Sequence, residues 1–202
     1  MRALVYDRTC VRTGGGLTIP WAAGSGLYRA LGRIDRAKGV ASWTEAFAWL
    51  ISLDQPINEI QYWGHGKWGS ANVGSERFAA ASLLRAHVHR PLLDAVRTRL
   101  APDVLVWFRT CETLGANAGI HFAETLADFL GARVAGHTHI IGFHQSGLHG
   151  IAPGQRADWA PDEGIAEGTP ESPVRGMWSR ARAPHTVTCL ASRVPEAWFA
   201  GQ

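Results

Sequence analysis

Two residues able to do chemistry each stand just after an apolar run. The run Ile57 to Trp63 leads into Gly64-His65-Gly66, and the run Val104 to Phe108 leads through Arg109 and Thr110 to Cys111. A thiolate can attack a carbonyl carbon, while an imidazole takes the thiol proton and returns it to the leaving group. The pair is therefore sufficient for nucleophilic hydrolysis. Gly66 lets the backbone approach a substrate closely, so its N–H and that of Cys111 could hold an oxyanion. The same residue types also fit an inert buried thiol and a hydrogen-bonded histidine at a strand end.

Whether the two residues meet depends on the elements that carry them. Ala3 to Tyr6 reads as a strand, and the glycine-rich stretch from Arg12 to Val40, with a Gly triplet at Gly14, as an insertion holding a short helix over Leu27 to Ile34. Ser42 and Glu45 have capping-box spacing, which starts a helix that stops before Pro56. The strand Ile57 to Trp63 follows, then a stretch from Val73 to Val88 whose alanines and leucines favour helix. Pro91 opens another helix, Asp103 to Phe108 is a buried strand, and apolar residues from Ile120 to Leu130 repeat at helical spacing up to a Gly131 cap. Arg133 to Ala135, with His137 as its outer limit, reads as a further strand. Strands with little alternation, separated by helices, predict an α/β fold: a mostly parallel central sheet with helices on both faces. Beyond Gly150 prolines break the pattern, and only Thr186 to Leu190 reads as a strand. One domain over residues 1–202 follows, with a core of about 1–150 and an irregular extension, 151–202, too poor in apolar residues to fold apart. In such a sheet ligands bind at the strands' C-terminal edge. If their strands are neighbours, ~4.8 Å apart, His65 and Cys111 share one cleft.

An apolar strand ending in His-Gly, followed by one ending in Cys, resembles the caspase, legumain, gingipain and separase clan of cysteine peptidases. The stretch from Cys111 through Gly119, Phe122, Leu126-Ala127 and Gly131-Ala132 to Val134-Ala135 is similar to a more particular relative. That relative is a caspase-like bacterial domain of unknown function at the head of large surface proteins. The resemblance runs roughly from Asn58 to Gly142. It implies a caspase-like three-layer sandwich and a cysteine endopeptidase acting on a protein or peptide through a thioester. It implies Cys111 as nucleophile, His65 as its proton-handling partner, and the Gly66 and Cys111 amides as the oxyanion hole. It also implies that Arg109, two before the cysteine, lines the pocket for the substrate side chain preceding the cut, favouring an acidic one and helping to stabilise the thiolate. The chain departs from the bacterial relative there, which has a small residue, and it lacks an evident caspase cleavage linker. A structural ion pair of Arg109 with Glu112, Asp7 or another carboxylate is the alternative for that residue.

Two other functions remain open on the sequence. His137, His139, His144 and His149, with His87 and His89, could gather around zinc, although no carboxylate lies among the first four and no metal-hydrolase spacing occurs. As a plain feature they make a polar loop over the sheet edge. The nine tryptophans allow a non-catalytic binding or signalling module, with Trp21, Trp68, Trp159, Trp178 and Trp198 as anchors and Trp63 and Trp107 in the core.

Bulk properties narrow the field further. A net charge of +3 over 202 residues gives no reason to expect nucleic acid, and seven Lys/Arg between Arg2 and Lys38 read as a solvated face. Three scattered cysteines form no disulfide framework, the start lacks a signal peptide, and no apolar run spans a bilayer. The expectation is a cytoplasmic protein that needs no cofactor or metal and touches neither membrane nor nucleic acid; its oligomeric state is open.

Overall fold

A computed structural model of the chain describes residues 1–11 and 16–201. Its elements are β1 (Arg2–Asp7), α1 (Thr18–Ala30), β2 (Arg36–Val40), α2 (Trp43–Ile51), β3 (Ile57–Trp63), β4 (His65–Gly66), β5 (Ser70–Val73), β6 (Glu76–Ala79), α3 (Arg90–Arg97), β7 (Leu100–Arg109), α4 (Ala116–Leu130), β8 (Arg133–His137), β9 (His144–Gln145), β10 (Leu148–Ile151), β11 (Ile165–Gly168), β12 (Pro173–Gly176) and β13 (Val187–Thr188). Six strands form the central sheet in the order β10-β8-β7-β3-β1-β2. All pairings are parallel except that of β10 with β8.

The two sheet faces bury different partners. Side chains alternate along a strand, so β7 sends Val104, Val106 and Phe108 into the main core and Leu105 and Trp107 to the other side. Helices α2, α3 and α4 cover the main-core face with Trp43, Phe47, Leu93, Val96, Phe122 and Leu126. Helix α1 covers the opposite face, where Tyr28 packs with Leu4, Ile34 and Trp63. The last fifty residues complete that face: Val194 and Phe199 pack on Leu105, Trp107 and Leu148. Trp159 and Ala200 reach the main core.

Local signals explain several boundaries. Ser42 Oγ accepts the Glu45 N–H at 3.0 Å, and the Glu45 carboxylate reaches back to the Ala41 N–H at 2.9 Å, one residue before the position a strict capping box uses. Pro91 lies in the first turn of α3. Gly131 ends α4 with φ 63°, a left-handed conformation that costs glycine nothing.

Four expectations need correction. The helix of the glycine-rich stretch is Thr18–Ala30, not Leu27 to Ile34; residues 12–15, with Gly14, lie outside the described residues. Arg36–Val40 is an edge strand that sequence patterning missed, because only Val40 is buried. The helix favoured within Val73 to Val88 is instead the second half of a hairpin, β5 with β6, followed by a 3-10 turn at Ala80–Leu83. The histidine-rich stretch is no surface loop: His137 lies in β8 and His149 in β10, both buried.

Candidate active site

The strand order reverses between β1 and β3. The chain leaves β1 for β2 on one side, and from β3 it proceeds to β7 and β8 on the other. At such a switch point the loops after neighbouring strands part to opposite faces and leave a crevice at their C-terminal ends. Cys10 follows β1, His65 follows β3 and Cys111 follows β7. In the register of the sheet Trp63 pairs with Arg109, so His65 and Cys111 each lie two residues beyond paired positions on adjacent strands.

Both residues line one cavity of about 530 Å³. Its walls come from α1 (Trp21, Leu27, Tyr28), from the end of β3 (Trp63), from the segment Ile141 to Gln145, and from Cys189 and Leu190 near the C-terminus. His65 is fixed from behind. Its Nε2 lies 3.2 Å from Cys10 Sγ, and the Trp21 ring meets it edge-on at 5.4 Å.

The loop bearing Cys111 is fastened on both sides. Thr113 Oγ1 bonds Thr110 Oγ1 and donates to the Ser70 carbonyl at 3.2 Å, while the Gly69 N–H donates to the Thr113 carbonyl at 2.9 Å. Toward β8, the Glu112 and Leu114 amides donate to the His139 and His137 carbonyls at 3.1 and 3.0 Å. Glu112 takes a left-handed φ of 54° to make this turn. Gly66 nestles against the same loop. A Cβ there would overlap Thr113 Oγ1 and stand 2.8 Å from Thr110 Cβ, so only glycine brings the His65 segment this near Cys111.

Electrostatics at Cys111 run against the expected activation. Burial pushes its thiol pKa up, a backbone hydrogen bond with Ile141 opposes this, and Glu112 raises it further. Arg109 does not hydrogen-bond Cys111; its N–H groups are directed elsewhere. The guanidinium is buried and donates through Nε and Nη2 to Gln145 Oε1 at 3.1 and 2.8 Å. Nη1 donates to the Tyr28 hydroxyl at 2.6 Å and the Ala191 carbonyl at 3.0 Å, and Nη2 also to the Cys189 carbonyl at 2.9 Å. All five N–H groups of an arginine thereby have acceptors. Ring faces enclose it, with Trp107 nearest at 4.5 Å. Neither Glu112 nor Asp7 pairs with it: Asp7 accepts from Thr9, and no carboxylate bonds Arg109 among the described residues. Burial lowers its pKa, yet a guanidinium stays charged.

His149 and His137 are held in structural hydrogen bonds. His149 Nε2 bonds Glu163 Oε1 at 2.8 Å, Thr138 Oγ1 donates to the same oxygen at 2.8 Å, and His149 stacks on Trp159 at 4.8 Å. His137 bonds the Ser146 carbonyl at 3.2 Å, and burial lowers its pKa to about 3. Among the described residues no group of three or more His, Cys, Asp or Glu is placed to hold a metal ion. Of the five tryptophans read as anchors, Trp159 is buried and Trp178 is fully on the surface at 68% exposure, while Trp21, Trp68 and Trp198 are half-buried. No described helix is long and apolar enough to cross a membrane.

Sequence reasoning missed Cys10, Tyr28 and Gln145. Cys10 obeys the rule that singled out His65 and Cys111, since it follows a strand of the same sheet, and that rule could have found it.

Comparison with known proteins gives one match. The model of a family described as Domain of unknown function (DUF4347) aligns with residues 36–150, from the first residue of β2 into β10. The match contains His65, Gly66, Arg109 and Cys111 and omits Cys10, α1 and the segment around Cys189. No curated protein and no solved structure matches the chain.

Proposed function

Since the chain belongs to the DUF4347 family, whose description assigns no activity, we propose from the cavity that it is a cysteine endopeptidase of the caspase-like clan working through a His65/Cys111 dyad. One observation carries this reading: His65 and Cys111 end neighbouring parallel strands and line a single cavity. A mostly parallel sheet between helices is consistent with a caspase-like sandwich.

Cys111 Sγ attacks the scissile carbonyl carbon as His65 accepts the thiol proton, and a tetrahedral oxyanion forms. The Gly66 and Cys111 amides receive that oxyanion. The C–N bond then breaks, His65 protonates the departing amine, and a thioester remains on Cys111. Water gives a proton to His65 and attacks the thioester, and the thiol leaves with the proton as the carboxylate product forms. Because burial disfavours a resting thiolate, proton removal by His65 accompanies attack. Cys10, at Nε2, holds the imidazole so that Nδ1 serves the reacting centre. Cys10 itself is nearly sealed from solvent at 4% exposure, which assigns it to orientation and not attack.

The raised Cys111 pKa favours a second reading, a binding or signalling module that keeps the fold without turnover. A casein or fluorogenic-peptide assay of the wild type, Cys111→Ala and His65→Ala separates the two. The peptidase reading requires wild-type hydrolysis that Cys111→Ala abolishes. Absence of any hydrolysis by folded wild type, or full activity in Cys111→Ala, removes it.

A further inference from the structure

We propose that the cavity beside Cys111 receives a large uncharged side chain, aliphatic or aromatic, from the residue preceding the cut, and turns away acidic and basic ones. This deepens the peptidase reading and rests on it.

The walls come first. Leu17, Trp21, Leu27, Trp63, Phe143 and Leu190 surround the space. Four of them also reach solvent at its rim: Phe143 is 60% exposed, and Leu17, Leu27 and Leu190 are exposed as well. Apolar groups gathered around a concave opening mark a place where apolar surface is buried on binding. The volume of about 530 Å³ lies within the ~300–1,000 Å³ of small-ligand pockets and holds the bulkiest side chains.

Charge decides against the ionic alternatives. Among the described residues Arg109 is the one permanently charged group in the lining, and each of its N–H groups already has an acceptor. A substrate carboxylate would have to displace Gln145 or a backbone carbonyl, stranding a buried acceptor at a cost of roughly 1–3 kcal/mol. It would also lose its own hydration among apolar walls. A substrate Lys or Arg meets the opposite difficulty. Among the described residues no Asp or Glu lines the cavity to receive it, and the buried guanidinium repels it. Arg109 is thus a fastener of the cavity floor, while specificity comes from shape and apolar surface.

Two measurements test this. Wild-type protein is assayed on fluorogenic peptides identical except for Phe, Leu, Asp, Glu, Lys or Arg before the scissile bond. Binding of the same peptides without the fluorophore to Cys111→Ala is followed by tryptophan fluorescence. Phe and Leu peptides should exceed the charged ones by at least about 100-fold in kcat/KM, and they alone should perturb the fluorescence. Leu27→Lys, at the exposed rim, should raise cleavage of Asp and Glu peptides relative to Phe. If Phe and Leu peptides bind Cys111→Ala but nothing is cleaved, the peptidase reading fails and the pocket assignment stands. Preference for any charged residue, or no binding by any peptide, overturns the pocket assignment.

Discussion

Replacing Arg109 by methionine removes a hub of the molecule, and the loss can be worked from its contacts. The guanidinium serves four acceptors within 3.1 Å: Gln145 Oε1, the Tyr28 hydroxyl, and the carbonyls of Cys189 and Ala191. Each acceptor left buried without a donor costs about 1–3 kcal/mol. Tyr28 softens this, since its own hydroxyl donates to Cys189 or Ala191 at 2.7 or 2.8 Å. Removing a desolvated charge returns part of the loss as well. The net expectation is a destabilisation of about 3–5 kcal/mol, in the range reached when a buried hydrogen-bond network loses its centre. At roughly 2–4 °C per kcal/mol for a chain of this size, melting should fall by about 6–20 °C. Arg109→Lys, with three donors in place of five, should fall between. Urea unfolding followed by circular dichroism measures both. A loss below about 1 kcal/mol for Arg109→Met, or a lysine variant equal to wild type, would refute the view that these hydrogen bonds hold the C-terminal segment on the sheet.

Cys10→Ala should lower kcat by roughly 10–100-fold with KM nearly unchanged, since a loosened His65 misplaces the proton acceptor without touching the apolar walls; partial recovery in Cys10→Ser separates orientation from packing, and an unaltered kcat would refute the role. Gly66→Ala should remove activity while the protein stays folded, because the added methyl pushes the His65 segment away from Thr110 and Thr113; wild-type turnover would contradict that packing. Stability should fall as pH drops from 7 to 5. The folded state keeps His137 neutral down to about 3, while the unfolded chain binds the proton below 6.5. His137 alone then gives a slope of up to about 1.4 kcal/mol per pH unit, and burial lowers His139 and His185 in the same sense. Urea midpoints that do not change between pH 7 and 5 would contradict this.

What the sequence made legible was what short-range chemistry writes. Strand β7 stands out because both faces of its second half are buried, so Val104 to Phe108 is continuously apolar, whereas Asn58, Glu59 and Gln61 interrupt β3. Ser42 and Gly131 mark helix ends through bonds and dihedrals that depend on neighbours three or four residues away. Edge strand β2 is illegible because a strand with one buried residue has no pattern to show. Helix α1 is obscured by Pro20, Gly24 and Gly26, and Gly24 is there for close approach: a Cβ would stand 2.8 Å from the Trp63 ring. At the site, His65 and Cys111 could be named because each sits at a strand end. The partners of Arg109 could not, because Gln145 is 36 residues away and the Ala191 carbonyl 82. No local pattern encodes a hydrogen bond across such a separation, so the network that buries Arg109 is invisible in the sequence.

The cavity borrows its walls from regions far apart in the order of synthesis. Tyr28 donates to a carbonyl 161 residues later, and β13, which brings Cys189 and Leu190 alongside, pairs with β9. A nascent chain grown to about residue 180 already holds the sheet, His65 and Cys111. Its cavity stands open on one side, and Arg109 has no carbonyls of 189 and 191 to bind. Translation thus imposes a delay on the site: Cys111 and His65 are made early, and the compartment around them closes only when nearly all of the described chain has emerged.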